Sequence, residues 1–361
     1  MHKYSNFIKI VIINIKSKYL KLILSLIILL AVILLIYSIY IFNIAFKPNI
    51  KLTGKKEYYL KIPSNSDYSD VIRILKNDTV LKNSKTFDKL ARKKNYPNHI
   101  NPGRYLIKNN MSNNRVINLL RSGKQQPFNL IFNNIRTKER LAQVISNQIE
   151  ADSASIMEAM HDSAFLSLTG FNEETVLALF IPNTYQFYWN TTAERFLNRM
   201  LNEYHRFWKN GRAELADEIG LSPVEVSTLA AIIDEEALIN DELKRIAGVY
   251  MNRLEKRMYL NADPTIKFIL RDFSVRRILY KDLEINSPYN TYKKIGLPPG
   301  PIVIPSIAAI DAVLNYEKHD YLYFCAKEDF SGYHNFAKTL EEHNRNRRIY
   351  LQALNKSRIY R

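Results

Sequence analysis

Between Leu22 and Phe46 the chain runs 25 residues without one charged side chain. About 20 apolar residues are enough to cross the hydrocarbon layer of a bilayer as a helix. The segment is longer than a secretory h-region, and no A-x-A-like cleavage site follows it, so it reads as an uncleaved transmembrane anchor. Its length and its flanking lysines argue against the other reading, a buried core helix. Lys3, Lys9, Lys16, Lys18 and Lys21 precede it, and the first acid is Glu57. That lysine excess predicts a cytoplasmic N-terminus over residues 1–21, although Lys47, Lys51, Lys55 and Lys56 reduce the contrast. Residues from about 47 onward then lie on the outer (periplasmic) side of a single-pass anchor in the cytoplasmic (inner) membrane.

The anchor region also holds much of the charge. The chain carries net +17, but residues 1–56 contain nine Lys and no acid, which leaves +8 on the remaining 305 residues. No dense Lys/Arg stripe interleaved with aromatics occurs there, which argues against a nucleic-acid partner. A weakly anionic polymer, such as a cell-wall glycan bearing peptide carboxylates, fits this balance. The single cysteine, Cys325 in the run YLYFCA, forms no disulfide within the chain and reads as a small core residue. The seven His form neither H-x-x-x-H nor H-E-x-x-H. With no P-loop, G-x-G-x-x-G or G-x-S-x-G either, the expectation is no metal and no cofactor.

Beyond the anchor the pattern is α+β, in two parts. Residues 57–125 read as a small α/β subdomain. Tyr58–Pro63 alternates as a strand does. Ser66 and Asp67 can cap a helix carrying Val71, Ile72 and Leu75, and Thr86–Lys94 is a second helix with Phe87, Leu90 and Ala91. Pro102-Gly103 turns into a strand over Tyr105–Ile107, and Arg115–Leu120 is a helix stopped by Gly123. This β-α-α-β order suggests, by fold analogy, a LysM-like glycan-binding module.

Residues 126–361 read as a larger, mostly helical domain. Phe128–Phe132 is a linking strand, Thr137–Ile149 and Ser153–His161 are amphipathic helices, and Phe180–Trp189 is an aromatic loop. Thr191–Lys209 is a long helix with Phe196, Met200, Tyr204 and Trp208 at four-residue spacing. Ser222-Pro223 opens a helix that closes on Glu236. Asp241 and Glu242 begin the next, with Ile246, Val249, Tyr250 and Leu254 inward. Asp263 caps a helix starting at Pro264, Ser306 caps Ile307–Tyr316, and Tyr321–Ala326 is a strand.

The segment LAAIIDEEA, residues 229–237, carries the candidate chemistry. Glu236 lies four residues after Ile232, three after Ile233 and seven after Leu229, so it shares their core-facing side. Asp234 and Glu235 are rotated away, toward solvent. A carboxylate on a partly apolar wall has its charged form disfavoured, and a raised pKa keeps a proton for general-acid work. The same residues also fit a solvated helix end, since perturbed acids occur in structural networks too. Tyr188 and Trp189 are candidate sugar-stacking residues.

Downstream come RIAGVYMNRL, MYLNADPTI, SPYNTY, GLPPGPI and GYHNF. In this order and spacing the chain resembles the YceG/MltG-like endolytic murein transglycosylases, over nearly its whole length. The resemblance makes Glu236 the catalytic glutamate that closes A-S-I-[VI]-E-x-E, with Asp234 at the motif's earlier acid. Asn290, Thr291 and Tyr292 match Y-N-T-Y, and His334 matches G-x-H-x-F; the resemblance places these four beside the substrate. Asn183 stands where the family has Asp in P-D-T-Y, so no catalytic role is assigned there.

The implied reaction is cleavage of the MurNAc–GlcNAc β-1,4 bond within peptidoglycan strands without water, leaving 1,6-anhydro-MurNAc ends and terminating nascent strands. It is a lyase reaction in which Glu236 serves as acid and then base. The family's place beside wall-synthesis machinery implies cell-wall synthases as partners. Two other readings stay open: a hydrolase (muramidase) using a second carboxylate such as Asp263 or Glu284, and a non-catalytic glycan-binding scaffold.

Overall fold

The computed structural model describes residues 2–77, 80–209, 211–275 and 277–356. Of residues 2–17 it describes the backbone alone, so the side chains of Lys3, Lys9 and Lys16 lie outside it. Two compact units emerge, Met1–Pro127 and Phe128–Arg361.

The first unit opens with helix α1, His2–Phe46. Its portion Lys18–Phe46 is long and apolar enough to cross a membrane, with a mean hydropathy of 3.1 over its most apolar 18 residues. Strand β1, Glu57–Ile62, pairs antiparallel with β2, Gly103–Lys108, from Glu57↔Lys108 to Ile62↔Gly103. Between them run α2, Tyr68–Asn77, and α3, Ser84–Lys93; α4, Asn113–Arg121, follows. Of the two residues expected to cap α2, Asp67 does so, its Oδ1 accepting from the Asp70 N–H at 2.9 Å. Gly103 has φ +138°, and a Cβ there would run into the Gln125 side chain, so the strand entry requires glycine. Leu60, Ile62, Val71, Leu75, Phe87, Tyr105, Ile107 and Ile117 fill a separate core.

The second unit begins with β3, Phe128–Ile131, followed by α5, Lys138–Ser146, α6, Ser153–His161, and α7, Ser163–Thr169. Strand β4, Thr184–Phe187, pairs with β3, so the expected aromatic loop contains a strand. Tyr185 and Phe187 point inward and Gln186 outward, a period of two that the surrounding aromatics conceal. Next come α8, Ala193–Lys209, α9, Arg212–Glu218, and α10, Pro223–Glu236. Then follow α11, Leu243–Glu255, α12, Asp263–Leu270, α13, Tyr280–Leu283, and α14, Ile307–Leu314. The antiparallel pair β5, Tyr323–Ala326, and β6, His334–Ala337, precedes the closing α15, Leu340–Lys356.

Helix α10 is the axis of this unit. Every residue from Val226 to Ile233 is buried, which is the pattern of a helix surrounded on all sides. A capping box holds its start: Ser222 Oγ accepts from the Glu225 N–H, and the Glu225 carboxylate accepts from the Ser222 N–H. Helices α11, α12 and α14 pack around it. Gly248 lets α11 approach closely, since a Cβ there would lie 2.2 Å from the Glu317 carbonyl oxygen. The hydrophobic run of α10 is therefore fixed on every side, and so is the position of its last residue, Glu236.

Candidate active site

Glu236 ends α10 at a cavity of about 470 Å³. Tyr250 and Arg253 of α11, Asp263 at the start of α12, Tyr292, and His334 of β6 share its wall. The Tyr250 hydroxyl donates to Glu236 Oε1 at 3.3 Å. Burial is the main cause that pushes the Glu236 carboxyl up to about 7, and the neighbouring charge of Asp263 pushes the same way. The Tyr250 hydrogen bond and the cations Lys267 and Arg253 oppose it. A group poised there holds its proton near neutral pH and can also give it up. Burial first, and Glu236 second, raise the Tyr250 phenol well above its ordinary value, so Tyr250 remains a donor.

Three consecutive acids leave the end of α10 in three directions. Asp234 accepts from the Ser306 N–H and hydroxyl, both at 2.8 Å, tying α10 to the start of α14. Glu235, expected in solvent, instead forms a two-pronged pair with Arg136 Nε and Nη2 at 3.0 Å each. Only Glu236 reaches the cavity.

The four residues placed beside the substrate divide into two pairs. Tyr292 and His334 line the cavity. Tyr292 donates to Asp263 Oδ1, so Asp263 is a hydrogen-bond acceptor in the wall; the N-cap position of α12 belongs to Ala262. The His334 backbone N–H and Nδ1 both bond Glu242, at 3.1 and 2.8 Å, and Glu242 is only 4% exposed. Asn290 and Thr291 are buried and do not line the cavity. Asn290 Nδ2 donates to the Leu283 and Ile285 carbonyls at 2.9 and 2.7 Å, and its Oδ1 accepts from the Tyr292 N–H at 3.0 Å. Thr291 Oγ1 accepts from the Ala262 N–H at 2.9 Å. The pair thus sets Tyr292 and Asp263 in place from behind.

Other residues lie differently from expectation. Cys325 and His343 line the cavity, so Cys325 is a wall residue rather than core. Burial pushes its thiol up, which leaves it a weak nucleophile. Tyr188, Trp189 and Asn183 lie outside the cavity lining. Glu284 is an exposed partner of Lys293 at 2.7 Å and is not in the wall, whereas Asp263 is. Among the described residues no group of three or more His, Cys, Asp or Glu is placed to hold a metal ion.

Sequence reasoning missed Glu242, Arg253 and Tyr250 as site residues. Tyr250 had a signal: it faces the same core as the end of α10. Glu242 had none, because its partner His334 lies 92 residues away. Arg253 stood within the motif RIAGVYMNRL, but its bond to the Leu322 carbonyl, 69 residues on, could not be read there.

Residues 60–349 match the model of the YceG-like family. The chain belongs to that family. An endolytic murein transglycosylase of Bacillus subtilis is 30% identical over 322 residues, covering 85% of this chain and 88% of the relative. One of Streptococcus pneumoniae is 26% identical over 328 residues, covering 82% of this chain but 59% of the longer relative. The crystal structure of a YceG-like protein of Listeria monocytogenes superposes with a TM-score of 0.53 at 31% identity. It is covered over 99% of its length by 81% of this YceG-like chain.

Proposed function

We propose that this YceG-like chain is a membrane-anchored endolytic lytic transglycosylase that cuts MurNAc–GlcNAc β-1,4 bonds within peptidoglycan strands. The observation that carries the reading is Glu236, a carboxyl held near pKa 7 at the cavity wall. The names of the relatives support the reaction class.

In the first step Glu236 gives its proton to the glycosidic oxygen as the C1–O bond of MurNAc breaks. Positive charge grows at C1, and the Asp263 carboxylate in the same wall can stabilise it. The Glu236 carboxylate then takes the proton of the MurNAc C6 hydroxyl while O6 bonds to C1. The glutamate returns to its starting form, no water is consumed, and the products are a free GlcNAc 4-hydroxyl and a 1,6-anhydro-MurNAc end. Tyr250 and Tyr292 hold the two carboxyl groups in place.

A hydrolase reading retains one specific support, the presence of Asp263 beside Glu236 in the cavity. Product ends decide between the two. The full chain in detergent, native and Glu236→Gln, is incubated with purified strands, and the fragments are weighed by mass spectrometry. Anhydro ends from the native chain alone are the expected result. Reducing MurNAc ends would make it a muramidase, and binding without cleavage by a folded native chain would make it a scaffold.

Two further parts of the reading concern placement. The exposed apolar stretch of α1 and the lysines before it support a single-pass anchor with the N-terminus in the cytoplasm. The β-α-α-β order of the first unit supports a LysM-like glycan-binding role for residues 57–125. An enzyme held at the membrane would meet strands where cell-wall synthases extend them, which makes those synthases its partners and strand termination its effect. Cross-linking in intact cells tests that association.

A further inference from the structure

We infer that the cavity at Glu236 contains a carboxylate-reading subsite built on Arg253, and that it takes a carboxylate carried by the muramoyl residue of the substrate. The inference rests on the glycan reading above and names what that site recognises.

Arg253 is only 8% exposed. Its Nε donates to the Leu322 carbonyl at 2.6 Å, and Nη1 donates to the Leu260 and Tyr259 carbonyls at 2.7 and 3.4 Å. All three partners are neutral, and among the described residues no carboxylate forms an ion pair with this guanidinium. Arginines this buried normally have an acid beside them, because an uncompensated buried charge is costly. Glu236 does not supply that compensation while it holds its proton. The Asp263 carboxylate of the same wall and the Tyr323 ring, 5.3 Å from the guanidinium carbon, supply part of it without bonding Nη2.

The remaining nitrogen, Nη2, makes no hydrogen bond among the described residues and is not sealed within protein. Nε and Nη1 thus clamp the side chain in one orientation, while Nη2 is left for a ligand in the cavity that Arg253 lines. A guanidinium fixed in this way favours an anionic oxygen acceptor. His343 belongs to the same wall, stacked on Tyr323 with ring centres 5.4 Å apart, and its Nδ1 also lacks a partner. Arg253 Nη2 is therefore the open donor of this wall, whereas His343 Nδ1 is enclosed by protein.

Within a glycan strand, the group that suits such a wall is the lactyl ether of the muramoyl sugar. Its carboxyl is free where the stem peptide has been removed; otherwise the first available carboxylate belongs to the peptide. An anion on Arg253 would also cancel the charge by which that cation opposes protonation of Glu236.

The test measures binding of three probes to the full chain in detergent by NMR titration: N-acetylmuramic acid, its methyl ester, and N-acetylmuramoyl-L-alanine. The expected result is that N-acetylmuramic acid binds at least about tenfold more tightly than the ester. If the alanine conjugate matches the free acid, the subsite accepts the stem-peptide carboxylate as well; if it matches the ester, the subsite reads the lactyl carboxylate alone. Arg253→Met should abolish the preference. Should that variant lose its fold, the comparison of acid and ester on the native chain decides alone. Equal affinity for acid and ester, or a preference that survives in a folded Arg253→Met chain, overturns the inference. Glu236→Gln should keep the preference, so failure of the reaction reading is scored separately, by product ends.

Discussion

The Tyr250 hydroxyl reaches Glu236 Oε1 across 3.3 Å from the neighbouring helix, and this contact opposes the burial that raises the glutamate's pKa. Helix α11 thus tunes the acid that α10 presents. The balance is visible in the causes: burial and Asp263 hold the proton on, while Tyr250, Lys267 and Arg253 draw it off.

The pH profile follows from that balance. The free enzyme needs protonated Glu236, so kcat/KM should be flat on the acid side and fall tenfold per pH unit above an apparent pKa near 7. Removing the donor with Tyr250→Phe should move that limb to higher pH, and removing the neighbouring charge with Asp263→Asn should move it lower. Rates of strand cleavage from pH 5 to 9 check both signs. Changes in the opposite directions would show that another group limits the reaction.

Glu236→Gln should abolish turnover, a loss of at least about 10³-fold, and yet stabilise the fold at alkaline pH. The native carboxyl is raised from 4.5 to about 7, so the folded state binds the proton more tightly than the unfolded chain. Its favourable contribution is full below pH 4.5 and is lost as pH rises through about 7. A neutral amide does not suffer that loss. The variant should gain about 2–3 kcal/mol relative to the native chain between pH 4.5 and 8, since each tenfold difference in proton affinity is worth about 1.4 kcal/mol. Denaturant melts at the two pH values measure it. A difference independent of pH would mean that Glu236 is ionised throughout.

Asn290→Ala should act as a stability mutation with a catalytic consequence. It leaves the Leu283 and Ile285 carbonyls without their donor and frees the Tyr292 N–H. Each unpaired buried group costs about 1–3 kcal/mol, and each kcal/mol lowers Tm by about 2–4 °C in a unit of this size, so the three together should lower Tm by at least roughly 6 °C. Tyr292→Phe should leave Tm nearly unchanged and lower kcat, because it removes only the donor to Asp263. Equal effects of the two changes on Tm would contradict this division of labour.

That contrast also explains what was legible in the sequence. Glu236 could be placed because its position depends on local spacing within one buried helix. Most helices and the β1, β2, β3 and β5 strands were legible for the same reason, since periodicity and caps are local. The roles of Asn290 and Thr291 were not, because a polar residue in a turn looks the same whether it faces a ligand or a backbone carbonyl. Glu235 reads as solvated in the sequence because Arg136, its partner, lies 99 residues earlier. The inward turn of Tyr185 and Phe187 is hidden among aromatics that satisfy a loop and a strand equally.

Glu242 is the remaining prediction, because it is buried and both of its carboxylate oxygens serve His334. With a carboxylate as acceptor, the His334 proton sits on Nδ1, which leaves Nε2 free to accept from a sugar hydroxyl. Glu242→Gln keeps the shape and can still accept from the His334 backbone N–H, but its amide then donates to Nδ1. That moves the ring proton to Nε2 and turns the acceptor into a donor. Stability should change by about 1 kcal/mol or less, while KM rises and kcat falls. Nitrogen NMR of His334 reports the tautomer directly, a signal that a merely structural defect would leave alone. The expected pattern is the Nδ1–H form in the native chain and the Nε2–H form in Glu242→Gln. If activity falls while the tautomer stays the same, Glu242 acts through packing and not through the imidazole.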